Sequence, residues 1–254
     1  MENHHPFTKF PSLKNYRVFY QPIVDASARK ISKLEALLRP SSFKQMPVPQ
    51  LIKLLERIRT IDKLDAYVRG EALSQLALFH TIDPTLGMSV NLSPRSLVPG
   101  LAREVETQLA AAKIDPEFLT LEITESRAIV DLTSTKKCIR DLQALGCKVY
   151  LDDFCTRFST LNHLAELQVD GLKIDRSYVW LTDRLGYERY LIDSLARIGH
   201  GFNLEMVAEG VETRQQLQKV KQLRIPYIQG FLFFKPLPQA HVIECLVNNE
   251  AKAA

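Results

Sequence analysis

The chain is short of most features that would set it apart from an ordinary globular protein. Its 254 residues hold four cysteines, at 138, 147, 155 and 245, and none forms a CxxC pair. They read as free thiols, which suits a reducing cytosol, with Cys138 and Cys147 in apolar surroundings as core filler. No stretch approaches the about 18 consecutive apolar residues of a membrane span. The opening segment, MENHHPFTKF, has no apolar core of a secretory signal. The expected location is therefore the cytoplasm, with no membrane span. Lys and Arg never run to five in a row, so the net charge of +4 describes a mixed-sign surface. Neither a recognition helix nor a basic stripe is recognisable, which argues against a nucleic-acid partner. There is no low-complexity tract and no long linker.

What is present is alternation. A length of 254 residues is near that of one (β/α)8 barrel, about 250 residues. Residues 1–15, with two prolines and His4 and His5, read as an extended lead-in, and 16–250 as a single domain. Arg17–Val24 and Lys30–Leu38 are predicted strands, joined by a link short enough for a hairpin, so this first pair is expected to be antiparallel. Strand and helix then alternate. Predicted strands are Gly87–Leu92, Phe118–Ile123, Lys148–Leu151, Gly171–Ile174, Leu204–Ala208 and Tyr227–Gly230. Predicted helices are Val48–Arg59, Ile61–Phe79, Pro94–Lys113 with a break near Pro99–Gly100, Leu132–Leu145, Ser159–Leu167, Tyr187–Ile198, Arg214–Leu223 and one around Ala240–Val247. That rhythm predicts a TIM-type barrel with a modified, antiparallel first strand.

Acidic or amide side chains close several of the strand-like runs: Glu35, Asn91, Glu122, the pair Asp152 and Asp153, and Glu209. If the strands close into a barrel, these ends share one mouth. Clustered carboxylates repel one another, and a divalent cation offsets that repulsion, so the pattern points to metal-assisted chemistry. Asn91 would ligate without adding charge. Asp152 and Asp153 can serve one site only if the chain turns there. Lys173, close to cations, is expected to have a lowered pKa. Asp175 and Arg176 are compatible with a surface ion pair and are not assigned to the site. His80, His163, His200 and His241 fall on predicted helices or their ends and are not assigned either. Trp180 is open to two readings, a cap on the barrel or part of a partner surface.

The strings YQPIV at 20–24, EALLRP at 35–40, VNLS at 90–93, LEITES at 121–126, LDDF at 151–154, LKIDRSYV at 172–179, AEGVET at 208–213 and QGFLFFKPLP at 229–238 follow one another in order. The chain thereby resembles the EAL family of cyclic-di-GMP phosphodiesterases from residue 17 to about residue 246. The resemblance implies that Glu35, Asn91, Glu122 and Asp152 ligate a first Mg2+ or Mn2+. It associates Asp153 with a second ion and Glu209 with a ligand or general-base role. Lys173 would contact the attacking water, while Gln21, Arg39 and Gln229 would contact substrate. Glu125 would anchor the loop after the aspartate pair, and Glu212 is a second glutamate near it. The implied reaction is metal-dependent hydrolysis of cyclic di-GMP to linear pGpG, with one or two ions per site, lowering the level of a bacterial second messenger. A homodimer and a regulatory protein partner are compatible with the resemblance.

One segment departs from the family pattern. DDFCTRFST places Cys155 and Arg157 where the family usually carries glycines. Glycine serves wherever φ must be positive, so an altered loop, weaker second-ion binding and slower turnover are expected. The alternative is a catalytically weak or silent domain that acts as a cyclic-di-GMP receptor or protein-interaction module.

Overall fold

Strands β1 (Tyr16–Asp25), β2 (Ile31–Pro40), β3 (Gly87–Leu92), β4 (Leu119–Ile123), β5 (Lys148–Leu151), β6 (Gly171–Ile174), β7 (Glu205–Ala208) and β8 (Tyr227–Ile228) close into a barrel in sequence order. The computed structural model describes residues 13–27, 30–42, 44–124, 131–154, 161–183, 187 and 190–248. As the short link predicts, β1 runs antiparallel to β2, and it is also antiparallel to β8 where the barrel closes. Every other neighbouring pair is parallel. The parallel strands are buried on both faces, with all residues of β4 and of β6 inaccessible. This is why they read as continuous apolar runs rather than alternating ones.

Helices α1 (Val48–Arg57), α2 (Ile61–Phe79), α3 (Leu101–Ala112), α4 (Leu132–Leu145), α5 (Leu161–Leu167), α6 (Arg176–Trp180), α7 (Tyr190–Gly201), α8 (Arg214–Gln222) and α9 (Gln239–Val247) fall between the strands or after the last one. Each longer helix buries one stripe: α1 buries Leu51 and Leu55, and α4 buries Cys138, Ile139 and Leu142. Helix α4 stops at Gly146, whose φ of 107° is a left-handed conformation that glycine adopts without strain. Burial pushes the Cys138 and Cys147 thiols up to about 11 and about 12, so both are inert core groups.

The helix expected over Pro94–Lys113 with a break near Pro99–Gly100 is a single 3-10 turn at Pro94–Ser96 followed by α3 from Leu101, with Gly100 at φ 97° in the break. One element differs from the sequence expectation. Helix α6 was not anticipated at all; five residues are too few to show a period. Its N-cap is Asp175, which accepts a hydrogen bond from the Ser177 amide at 2.9 Å, while the Arg176 guanidinium stacks 5.1 Å from the Trp180 ring.

The N-terminal end of the barrel is sealed by a polar plug. Lys33 donates to Tyr150 Oη at 2.7 Å and to Glu205 Oε2 at 3.0 Å. Its ammonium also lies 4.8 Å and 4.7 Å from the ring centres of Tyr150 and Tyr227. Lys148 and Tyr150 donate to the same Glu205 carboxylate. Burial alone would raise the Glu205 pKa, but Lys33 and the bonds from Lys148 and Tyr150 bring it down to about 2.

Candidate metal centre at the C-terminal mouth

At the opposite end, side chains from four strands or strand ends converge on Lys173 of β6, which is 1% exposed. Its ammonium lies 2.6 Å from Glu209, 2.9 Å from Glu122, 3.2 Å from Glu35 and 3.5 Å from Asp152. The parallel register explains the convergence. Asn91 pairs with Glu122 across β3 and β4, and the Asp152 amide bonds to Ile123 O while that of Glu209 bonds to Ile174 O, extending the ladder just past each strand. Glu35 is clamped by Asn91 Nδ2, which donates to Oε1 at 2.8 Å, and by Gln229 Nε2, which donates to Oε2 at 2.6 Å. Asp153 takes φ 52°, so the chain turns as the adjacent pair requires. Asp152, Asp153 and Glu209 thereby each offer an oxygen within 4.8 Å of the others.

The carboxylates outnumber the cation, and the protonation equilibria record it. Burial, then Glu35 and Asp152, push Glu122 up to about 8 against the pull of Lys173. Burial also raises Asp152, with Glu35 adding to it, and Glu209, with Asp152 and Glu35 adding to it. Glu35 alone stays below the usual range: burial raises it, but Lys173, Gln229 and Asn91 together outweigh that. Lys173 answers to the same carboxylates. Burial lowers its pKa, yet the attraction of Asp152, Glu122, Glu209 and Glu35 carries it well above the ordinary lysine value. The expected lowering requires cationic charge beside it, and the protein's own groups supply the opposite sign.

Glu122 is fully buried, and among the described residues its Oε1 accepts no hydrogen bond. A buried carboxylate oxygen without a partner costs about 1–3 kcal/mol or more. Hard oxygen donors around such an atom, in excess of the local positive charge, are what Mg2+ or Mn2+ requires. The residues present fit a divalent ion.

A cavity of about 310 Å3 adjoins the cluster, lined by Glu35, Arg39, Asn91, Thr124 and Asp152 among others. Arg39 is half-buried and donates to Leu38 O at 2.9 Å. Gln21 faces Glu35 across the β1–β2 pair and donates to Phe234 O at 3.1 Å. The Oε1 of Gln229 is buried without a partner among the described residues. Glu212 is exposed and outside the cluster; its amide donates to Gln216 Oε1 at 2.8 Å, beside the capping box of α8. Glu125, Cys155 and Arg157 lie outside the described residues.

Sequence reasoning missed the support behind Asn91. Ser93 Oγ donates to Glu56 at 2.9 Å, and Ser93 N and Ser96 Oγ donate to Asp65 Oδ2 at 2.9 Å and 2.6 Å. The loop that follows Asn91 is thus tied to α1 and α2. The available signal was a polar residue on the buried face of α2, since Asp65 shares that face with Leu64, Val68 and Ala72.

The EAL domain family model matches residues 8–236. The chain belongs to the EAL domain family. Curated relatives of this EAL domain include the oxygen sensor protein DosP of Escherichia coli (strain K12), 34% identical over 89% of this chain and 29% of DosP. The cyclic di-GMP phosphodiesterase NbdA of Pseudomonas aeruginosa is 33% identical over 89% of this chain and 30% of NbdA. The chain thus spans about a third or less of the length of these relatives. Among solved structures, the PaMucR phosphodiesterase in complex with c-di-GMP superposes with a TM-score of 0.82 at 30% identity, covering 90% of this chain and 94% of that one. The EAL domain of Mycobacterium smegmatis DcpA gives 0.80 at 26% identity, covering 92% and 99%. Among the described residues no helix is long and apolar enough to cross a membrane.

Proposed function

We propose that this EAL domain is a metal-dependent phosphodiesterase that hydrolyses cyclic di-GMP to linear pGpG. The observation that carries the reading is the buried Glu122 Oε1, unpartnered within a carboxylate cluster that has Lys173 as its cation. Glu35, Asn91, Glu122 and Asp152 would hold one Mg2+ or Mn2+, and Asp153 with Glu209 would hold a second. Bound there, the ions supply Lewis-acid activation of water and neutralise charge on the phosphate. Lys173, fixed from several sides, orients the attacking water. Glu209, the half-buried carboxylate nearest to Lys173, accepts its proton. A phosphorus–oxygen bond to water forms, the bond to the ribose 3′-oxygen breaks, and that oxygen takes up the proton that Glu209 accepted from water. Arg39 and Gln21 contact the substrate, and Gln229 does so through its unpartnered oxygen. Glu125 and Glu212 anchor the loop beyond Asp153. The name of NbdA and the bound ligand of PaMucR support this choice of substrate. A cytoplasmic setting accords with the free thiols Cys138 and Cys147. A homodimer and a regulatory partner belong to the reading through family resemblance.

The test is hydrolysis of cyclic di-GMP by the purified chain with Mg2+ or Mn2+, beside Glu35→Ala. The variant is expected to lose about 1,000-fold or more in kcat, and Ca2+ is expected to support the reaction poorly. Tight cyclic-di-GMP binding without any turnover would replace the enzyme with a receptor.

A further inference from the structure

The tripeptide Glu209–Gly210–Val211 carries one of the cluster's carboxylates, and it is held from three sides. The Glu209 amide donates to Ile174 O at 3.0 Å, and the Val211 amide donates to Gln229 O at 3.1 Å. Both bonds continue the barrel ladder. The third is of a different kind: the Trp180 indole donates from Nε1 to Gly210 O at 2.9 Å. Trp180 ends α6, the short helix that starts two residues after Ile174 and so follows directly from the strand bearing Lys173. The indole therefore joins the segment after Lys173 to the segment after Glu209, and the ion pair between those two side chains is, at 2.6 Å, the shortest of the four described for Lys173.

The fit around this contact is tight. Gly210 has φ 63°, and a Cβ placed on it would run into Arg176 Cβ. The Arg176 guanidinium, in turn, stacks on the Trp180 ring. Trp180 is 40% exposed, so burial of the ring alone does not account for its placement; the indole N–H has a specific acceptor. We propose that Trp180 is a positioning residue for Glu209, fixing the carboxylate through the Gly210 carbonyl and coupling the indole to occupancy of the metal centre. The chain contains one tryptophan, so its emission reports that coupling without a label.

The inference rests on the metal-centre reading, and two measurements separate them. In the first, wild-type protein is titrated with Mg2+, which is not a fluorescence quencher, while Trp180 emission is followed. Emission is expected to change along the same isotherm that calorimetry gives, and to stay flat in Asp152→Asn. In the second, Mn2+ affinity is compared between wild type and Trp180→Phe, which keeps an aromatic ring over Arg176 but removes the donor. Releasing Gly210 is expected to weaken Mn2+ about 5-fold, with the melting temperature in chelator lowered by no more than the few degrees that one hydrogen bond supplies. Leu191→Ala, at another exposed apolar position nearby in sequence, is expected to leave the affinity unaltered. Flat wild-type emission through saturating Mg2+, or wild-type Mn2+ affinity in Trp180→Phe, overturns the positioning role and leaves the metal centre standing. If wild type binds neither ion, both readings fall. The emission experiment needs no substitution at Trp180, so an unstable variant does not leave the question open.

Discussion

The two ends of this barrel hold the same kinds of side chain in opposite proportions. At the N-terminal end one carboxylate, Glu205, is shared by Lys33, Lys148 and the Tyr150 hydroxyl, and its pKa falls to about 2. At the C-terminal end one lysine, Lys173, is shared by Glu35, Glu122, Asp152 and Glu209, and Glu122 rises to about 8. A lowered carboxylate pKa means that folding favours the charged form; a raised one means that folding resists it. The first end is a satisfied structural plug. The second keeps negative charge that the fold does not neutralise by itself, and a cation-binding site needs that deficit. Stability is concentrated where function is absent, and strain where it is present.

The largest expected effect comes from removing Lys173, the cation that the cluster's four carboxylates share among the described residues. Lys173→Ala should destabilise the protein by about 3–5 kcal/mol in chelator, because it strands buried carboxylates; urea melts with and without Mn2+ would show the loss and its partial recovery. An unchanged midpoint would mean that the carboxylates are protonated and that the contrast between the ends is absent. Next is Glu205→Gln at the other end, expected to cost about 1–2 kcal/mol at pH 7 once solvent screening at this partly exposed group is allowed for. The sign follows from the lowered pKa: the contribution is complete above the unfolded value near 4.5 and disappears as pH falls toward about 2. The melting-temperature gap between variant and wild type should therefore close over that interval. The smallest effect is also the sharpest, because it has the opposite sign. Glu122→Gln should abolish Mn2+ binding yet raise chelator-treated stability by about 1 kcal/mol at pH 9, with little gain at pH 4. A group with a raised folded pKa costs stability progressively as pH rises from the unfolded value near 4.5 to about 8, and the full cost stands above that. A loss of stability at pH 9 would put the Glu122 carboxylate among the stabilising groups and erase the distinction between the two ends.

Most of the barrel was legible because its signal is local. Residues 61–79 carry a helical period and 87–92 a short apolar run, and α2 and β3 occupy those ranges. The antiparallel β1–β2 pair followed from the length of its link alone. Asn91, Glu122, Asp152 and Glu209 were legible because they fall at or just past strand ends, which a parallel barrel brings together, whereas Glu35 lies midway along the longer β2 and does not close it. Other features were not. Helix α6 is shorter than the window that periodicity needs. The bonds from Ser93 and Ser96 to Asp65 and Glu56 join residues 28 or more positions apart, and no pattern in either segment announces the other. The pull on Lys173 depends on how many carboxylates reach one nitrogen, a number that only the packed structure supplies.

The reversed direction of β1 has an architectural consequence. In a barrel built only of parallel strands, the first strand starts at the face remote from the catalytic loops. Here Tyr16 starts β1 opposite Pro40, the last residue of β2, and Asn15 O accepts a bond from the Ser41 amide at 2.8 Å. The polypeptide therefore enters on the rim of the carboxylate-lined opening and leaves the first strand at the sealed end, where Asp25 pairs with Tyr227. Any module fused ahead of Leu13 is delivered to the doorway of the reaction chamber. An upstream sensor would need no lever through the barrel wall to reach the substrate; standing in or out of the entrance would be enough.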